Sequence, residues 1–371
     1  MRRQKNRALG FSISPGAKRP NQSIFCLLQT LSSDFSRHCP LTMIVELSLN
    51  SERRQARALI EASGLRFEDA VDVMVGLYEE GRLVATGSRA GGVLKMLAVM
   101  PEHQGGSTLG ELVTELVMNG QRAGHDSLFV YTKPEYAATF QALNFSLLAR
   151  QGKAALLEYG SGIARWLESK RPLLRAGLNG AVVVNCNPFT NGHRYLIERA
   201  AREVGHLYVF VVREDRSVFP FDVRRRLVEQ GVRGIANAVV LDTSHYIVSD
   251  ATFPTYFLKK EDPAARIQME LDLILFASKI APFFGITRRY VGTEPNDPLT
   301  AAYNQAMREL LPGRGIDVRV VERKRVADGV ISASRVRELA GRGDFAALAD
   351  YVPATTLDYL MGQRTYQKTE S

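Results

Sequence analysis

From residue 180 onward the chain repeats one pattern: a short apolar run, a turn, then a stretch with apolar residues at helical spacing. The runs are AVVVNC (181–186), HLYVFVVR (206–213), AVVLDTS (238–244), RRYVGT (288–293) and IDVRVVE (316–322). Helical spacing falls at about 193–204, 222–234, 264–280, 299–311 and 334–341. Apolar, β-branched runs that alternate with helices read as parallel strands joined by crossovers. Residues 179–362 are therefore expected to form an α/β domain, a doubly wound parallel sheet of Rossmann-like type. Ligands of such a sheet bind beyond the C-terminal ends of the strands.

The first of those ends carries NCNPFTNGH, with Asn185, Cys186 and Asn187 leading into Pro188, Phe189 and a Thr190-x-Gly192-His193 turn. A helix opens there. Helix N-termini carry free N–H groups and a partial positive charge, so they suit phosphate. His193 would add a donor, Thr190 a hydroxyl, and Gly192 close approach of phosphate to the backbone. Pro188 would fix the turn. A second element, GVISASRVRELA (329–340), lies late in the same domain. Ser332 would cap its helix, following Ile331. Ser334 would bond a phosphate, and Arg337, one turn on, would neutralise phosphate charge. His193 and Ser334 are 141 positions apart, which leaves room for the intervening sheet and lets both meet at one mouth. Together the two elements match the T/H-x-G-H and I-S-x-S/T-x-x-R signatures of the nucleotidylyltransferase superfamily.

Residues 43–160 alternate differently. The segment 73–90 reads as two strands around a turn at Glu80-Gly81, and TLGELVTELVMNGQRAG (108–124) as an amphipathic helix with Leu109, Leu112, Val113, Leu116 and Val117 on one face. A shorter helix, SERRQARALIEASGL (51–65), has Ser51 as expected N-cap and Gly64 just past its end. This order resembles the α+β fold of GNAT acyltransferases, whose Gly-rich turn binds the pyrophosphate of acyl-CoA. Here the turn reads HQGGSTLG (103–110), with Ser107 and Leu109 where glycines belong. Residues 161–178 read as a linker helix, with Trp166 as packing, and 363–371 as a tail.

The net charge of +9 first suggests nucleic acid, but six of those charges come from residues 1–42, which hold seven Lys/Arg and one acid. The rest of the chain carries an unremarkable +3. Three readings fit this Arg- and Ser-rich leader: an over-extended start with Met43 as internal initiator, an organellar targeting segment, or a disordered arm. Neither nucleic acid nor membrane is expected as a partner: no run of about 18 apolar residues is present. The three cysteines show no metal spacing, His206 and His245 lack ligand partners at useful spacing, and Cys186 reads as strand packing. A reduced, cytoplasmic setting follows. The cluster Phe253, Pro254, Tyr256 and Phe257 reads as core packing, with a pocket wall as the alternative.

Longer stretches carry a narrower resemblance. NPFTNGHRYLIERAA, FVVREDRSVFPFDVRRRLVEQG, SDATFPTYFLKKED, RYVGTEPNDPLTAAYNQAMRELLP and ISASRVRELA look like the [citrate (pro-3S)-lyase] ligase family. That family also places a GNAT-like domain before a nucleotidylyltransferase domain, so the resemblance covers about 43–362. It implies that ATP and acetate form acetyl-adenylate, and that the acetyl group passes to the phosphoribosyl-dephospho-CoA thiol on the acyl-carrier subunit of citrate lyase. Mg²⁺ would enter with ATP, and no protein metal site is expected. The resemblance implies roles as follows. His193 and Thr190 stabilise the α-phosphate, and Asn185 and Asn187 orient phosphate or carboxylate. Gly292, Thr293 and Glu294 meet ribose or adenine. Ser332, Ser334 and Arg337 hold the β- and γ-phosphates, and Arg224 meets acetate or a phosphate. Rival readings are an adenylyltransferase making a dinucleotide-type cofactor, a GNAT N-acetyltransferase with an accessory nucleotide domain, and a nucleotide sensor.

Overall fold

The computed structural model of the chain describes residues 42–213, 217–249, 263–295, 297–327 and 329–369, with the backbone alone for 263–264 and 363–369. The leader and the 253–257 aromatic cluster lie outside the described residues. Thr42–Ser371 form one compact unit.

The first half is built from β1 (Thr42–Glu46), α1 (Asn50–Ala62), β2 (Val73–Glu79), β3 (Arg82–Ala90), β4 (Val93–Val99), α2 (Thr108–Arg122), β5 (Leu128–Thr132), α3 (Ala137–Ala142), β6 (Phe145–Gln151) and β7 (Ala154–Tyr159). The strands form one sheet in the order β1-β2-β3-β4-β5-β7-β6. Its neighbours are antiparallel except β4 and β5, which the α2 crossover makes parallel. This is the GNAT-like layout expected. The β2–β3 hairpin turns at Glu80 and Gly81, both with positive φ (50° and 81°), which matches the twist of the flanking strands. Leu112, Val113, Leu116 and Val117 of α2 are buried against the sheet, as their spacing requires. The N-cap of α1 is Leu49 rather than Ser51. The Glu52 carboxylate, at the third helical position, reaches back and accepts the Leu49 N–H at 2.9 Å.

Helix α4 (Gly162–Ser169) joins the halves and is packed against both. Trp166 Nε1 donates to Asp242 Oδ1 at 3.2 Å, and Lys170 Nζ to Asp242 Oδ2 at 2.6 Å. One apolar core runs from Phe129 and Leu156 through Trp166 to Tyr208 and Leu271.

The second half continues with β8 (Asn179–Val184), α5 (Asn191–Ala201), β9 (His206–Val211), α6 (Phe221–Gly231), β10 (Ala238–Asp242), α7 (Pro263–Leu275), α8 (Ala281–Phe284), β11 (Ile286–Gly292), α9 (Pro298–Leu310) and β12 (Asp317–Val321). A two-strand hairpin, β13 (Arg325–Val326) and β14 (Gly329–Val330), precedes α10 (Ala333–Arg342), α11 (Phe345–Leu348) and α12 (Ala354–Thr369). The segment expected as a tail is helical to Thr369, as the continuation of α12. The large sheet has the order β10-β9-β8-β11-β12, all parallel. Helices α5 and α6 cover one face, and α7 to α9 the other. The chain leaves β8 in one direction for β9 and returns on its other side as β11. The crevice between β8 and β11 is therefore the topological switch point, where a ligand fits. Among the described residues no helix is long and apolar enough to cross a membrane.

Candidate active site

A cavity of about 530 Å³ opens at this switch point. Of the residues singled out from the sequence, Asn185, Thr190, Gly192, His193, Gly292, Glu294, Ile331, Ser332 and Ser334 line it. The two motifs thus meet at one mouth.

The geometry begins with the cap of α5. Thr190 Oγ1 accepts the His193 N–H at 3.3 Å, and His193 Nδ1 accepts the Thr190 N–H at 3.1 Å. This reciprocal box has a histidine where Glu or Gln is usual. It also assigns the tautomer: with Nδ1 as acceptor, the ring proton sits on Nε2. Burial, and then the nearby Arg323 guanidinium, pull the His193 pKa down to about 4. The ring is therefore a neutral N–H donor at the cavity wall at pH 7. Asn191 N–H is taken by Tyr351 O at 2.8 Å, which leaves the Gly192 N–H as the first-turn donor without a partner among the described residues. A methyl on Gly192 would sit 3.4 Å from Ile331 Cγ2, so the two motifs lie within van der Waals reach of each other here.

Helix α10 supplies the facing N-terminus. Ser332 caps it, accepting the Arg335 N–H at 3.2 Å. Arg337 stands behind this turn: Nη1 donates to Asn187 O at 2.5 Å and Nη2 to Ser334 Oγ at 3.0 Å. It ties the two motifs together and does not line the cavity.

Other expected residues also act from behind. Asn187 Oδ1 accepts the Phe219 N–H at 3.1 Å, Pro188 follows a cis peptide bond, and Phe189 is fully buried with its ring stacked 6.0 Å from that of His193. Thr293 is engaged by Arg323, whose Nε donates to Thr293 O at 2.6 Å.

Arg224 corrects the expectation that it meets acetate or phosphate. It is fully buried and outside the cavity, with Nη1 donating to Asn185 O (2.7 Å), Val212 O (2.8 Å) and Asn185 Oδ1 (2.9 Å), and Nε to Phe219 O (2.9 Å). Its sequence context, one of three consecutive arginines, gave no sign that this one turns inward.

Four further cavity residues bear on the site, and the sequence reading passed over three of them, Asn304, Asp297 and Arg289. Arg323 pairs with Glu294 and supplies positive potential beside His193. Asn304 Nδ2 holds the Gly292 carbonyl at 3.0 Å, and Asp297 caps α9 through the Thr300 N–H at 2.9 Å. Arg289 is buried in β11. A charge inside a strand of a doubly covered sheet was the available signal for it.

The expected CoA turn is less complete. A shallow groove over the start of α2 is lined by Gly106, Ser107 and Glu111, and Ser107 Oγ donates to Glu111 Oε1 at 2.6 Å. The carboxylate stands in the first turn, where it opposes a bound anion.

The family described as citrate lyase ligase C-terminal domain matches residues 179–360. The chain is similar to the [citrate [pro-3S]-lyase] ligase of Klebsiella pneumoniae, with 39% identity over 325 residues, covering 85% of this chain and 95% of that one. It is 36% identical over 335 residues to the enzyme of that name from Escherichia coli (strain K12), covering 88% and 95%. It is 36% identical over 315 residues to that of Haemophilus influenzae, covering 82% and 93%. Likeness of this degree runs through both sheets, and the chain belongs to the [citrate [pro-3S]-lyase] ligase family.

Proposed function

We propose that the chain is an AMP-forming acid–thiol ligase that acetylates the prosthetic-group thiol of the citrate lyase acyl-carrier subunit. The observation that carries this reading is the pair of helix N-termini, α5 and α10, facing one cavity with a neutral histidine N–H between a threonine cap and an arginine.

In the first step an acetate oxygen attacks the α-phosphorus of ATP, the bond to the β-phosphate oxygen breaks, and pyrophosphate leaves. His193 Nε2–H and Gly192 N–H donate to the α-phosphate oxygens as charge builds there. The start of α10, with Ser332 and Ser334, receives the β- and γ-phosphates, and Arg337 keeps Ser334 in place. Gly292 and Glu294 face the nucleoside. In the second step the phosphoribosyl-dephospho-CoA thiolate attacks the acetyl carbonyl and AMP leaves. Mg²⁺ belongs to the substrate as MgATP, held through phosphate and water. Of the described carboxylates that line the cavity, Glu294 is engaged by Arg323 and Asp297 by the cap of α9, and Glu322 is the third. Acetyl transfer straight from acetyl-CoA is disfavoured by Glu111 at the start of α2. The setting is the cytoplasm, with the carrier.

The test is acetate-dependent exchange of pyrophosphate into ATP, with His193→Ala as control. Exchange that needs acetate and falls by about 100-fold or more in the variant is expected. Adding deacetylated citrate lyase should then yield AMP and acetylated carrier. ATP binding without exchange, with or without the lyase, would sink the reading.

A further inference from the structure

Arg289 carries a charge where the fold has no structural use for one. It lies in β11, beside Ala181 of β8 and Val318 of β12, and is 2% exposed. Its guanidinium rests over the Phe276 ring, 4.4 Å from the centroid. Nε and Nη1 are buried without a hydrogen-bond partner among the described residues. Native proteins rarely leave such donors unmet, and each one needs an explanation.

The neighbouring carboxylate does not supply it. Asp272 is fully buried, with Oδ1 accepting the Val248 N–H at 2.8 Å and Oδ2 the Tyr303 O–H at 2.6 Å. Burial pulls the Arg289 pKa down, Tyr303 and then Asp272 oppose that in part, and neither is hydrogen-bonded to Nε or Nη1.

Arg289 lines the cavity that also holds His193 and Gly192. The wall around it is Val248, Val291, Tyr303 and Met307. The cavity thus has two chemistries. One part offers helix N-termini and hydroxyls, suited to a polyanion. The other offers one desolvated cation among apolar groups, suited to a small monoanion with an apolar end. We propose that Arg289 and this apolar wall form the carboxylate subsite, which takes a short-chain monocarboxylate such as acetate in its anionic form. Arg289 holds one carboxylate oxygen and leaves the other as the nucleophile toward the α-phosphorus. The role deepens the adenylation reading and rests on it for the identity of the step.

The experiment measures [¹³C]acetate binding by NMR line broadening, on the full chain with a non-hydrolysable ATP analogue, beside the acetate and ATP dependence of pyrophosphate exchange. Wild type, Arg289→Met and Arg289→Lys are compared. Arg289→Met is expected to weaken acetate about 100-fold, in dissociation constant and KM alike, with ATP affinity within about threefold. Arg289→Lys keeps the charge but loses the planar fork, and should weaken acetate about tenfold. Acetamide, of the same shape without the charge, should not displace acetate. Unchanged acetate binding in Arg289→Met overturns the proposal. So does a parallel loss of ATP, which would assign the guanidinium to phosphate, and so does a wild type that binds no acetate. A wild type that binds acetate through Arg289 yet exchanges no pyrophosphate keeps the subsite and refutes the adenylation reading instead. If Arg289→Met shows no cooperative melt, Arg289→Lys decides, and an acetate KM equal to wild type overturns the assignment.

Discussion

Arg224→Met separates a structural arginine from a ligand-binding one. The guanidinium is fully buried and donates to three main-chain carbonyls and one side-chain amide, over 2.7–2.9 Å. Those carbonyls belong to three separate places: Asn185 past the end of β8, Val212 past the end of β9, and Phe219 before α6. Methionine fills similar volume and removes the guanidinium donor from all of them, leaving the Asn185 amide oxygen with the Ser217 hydroxyl at 3.3 Å. A hydrogen bond to a charged group contributes about 1.5–3 kcal/mol, but the variant also removes the cost of burying the charge. Loss of one partner of a buried polar set costs about 3–5 kcal/mol, and we expect about 4 kcal/mol here. At about 2–4 °C per kcal/mol the melting temperature should fall by about 10 °C. The assay is a thermal unfolding scan, with pyrophosphate exchange measured well below the transition. Because Asn185 lines the mouth, the KM values for ATP and acetate should rise together by a small factor. A melting temperature within about 2 °C of wild type, with acetate KM raised more than about tenfold, would refute this account and return Arg224 to the ligand.

Two further perturbations address the cap of α5. In the ligand-free protein His193 has a pKa near 4 against an ordinary 6.5, so the unfolded chain takes up its proton first as pH falls. Its contribution to stability is level above pH 6.5 and declines by up to about 1.4 kcal/mol per unit between 6.5 and 4; a ring titrating near 6.5 by NMR would contradict the buried, Nε2-protonated assignment. Gly231→Ala places a methyl 2.2 Å from Phe189 Cε1, against the ring that stacks on His193. It should cost about 1–3 kcal/mol and lower exchange, whereas Gly234→Ala, with nothing within 4 Å, should do neither; equal stability for the two would show that the Phe189 ring is free to move.

Much of this architecture was legible because it rests on local rules. Five apolar runs separated by helical spacing have few ways to bury both faces other than a covered parallel sheet. The Ser332 cap lay where Ser precedes a helical pattern, and the Glu80-Gly81 turn where two strands needed positive φ; Thr190, expected to offer its hydroxyl to phosphate, instead caps α5. The start of α1 was misplaced by two residues because the helix begins at Asn50 without a side-chain cap, with Glu52 reaching back to the Leu49 N–H in place of a Ser51 cap.

The sequence by itself determined the two kinds of sheet and the two motifs at the strand ends, since each depends on residues within one turn or one strand of each other, whereas the strand order that puts the switch point between β8 and β11 came from the tertiary structure. Only the tertiary structure decided which arginine does what. Along the chain Arg224 and Arg337 both read as ligands of an anion, and Arg289 offered only the signal of a charge inside a strand. Folding buries Arg224 among carbonyls, leaves Arg289 unpartnered at the cavity wall, pairs Arg323 with Glu294, and ties Arg337 to the Asn187 carbonyl 150 residues away. A guanidinium's role follows from what desolvates it and which acceptors remain within about 3 Å, and those neighbours come from strands and loops far apart in sequence.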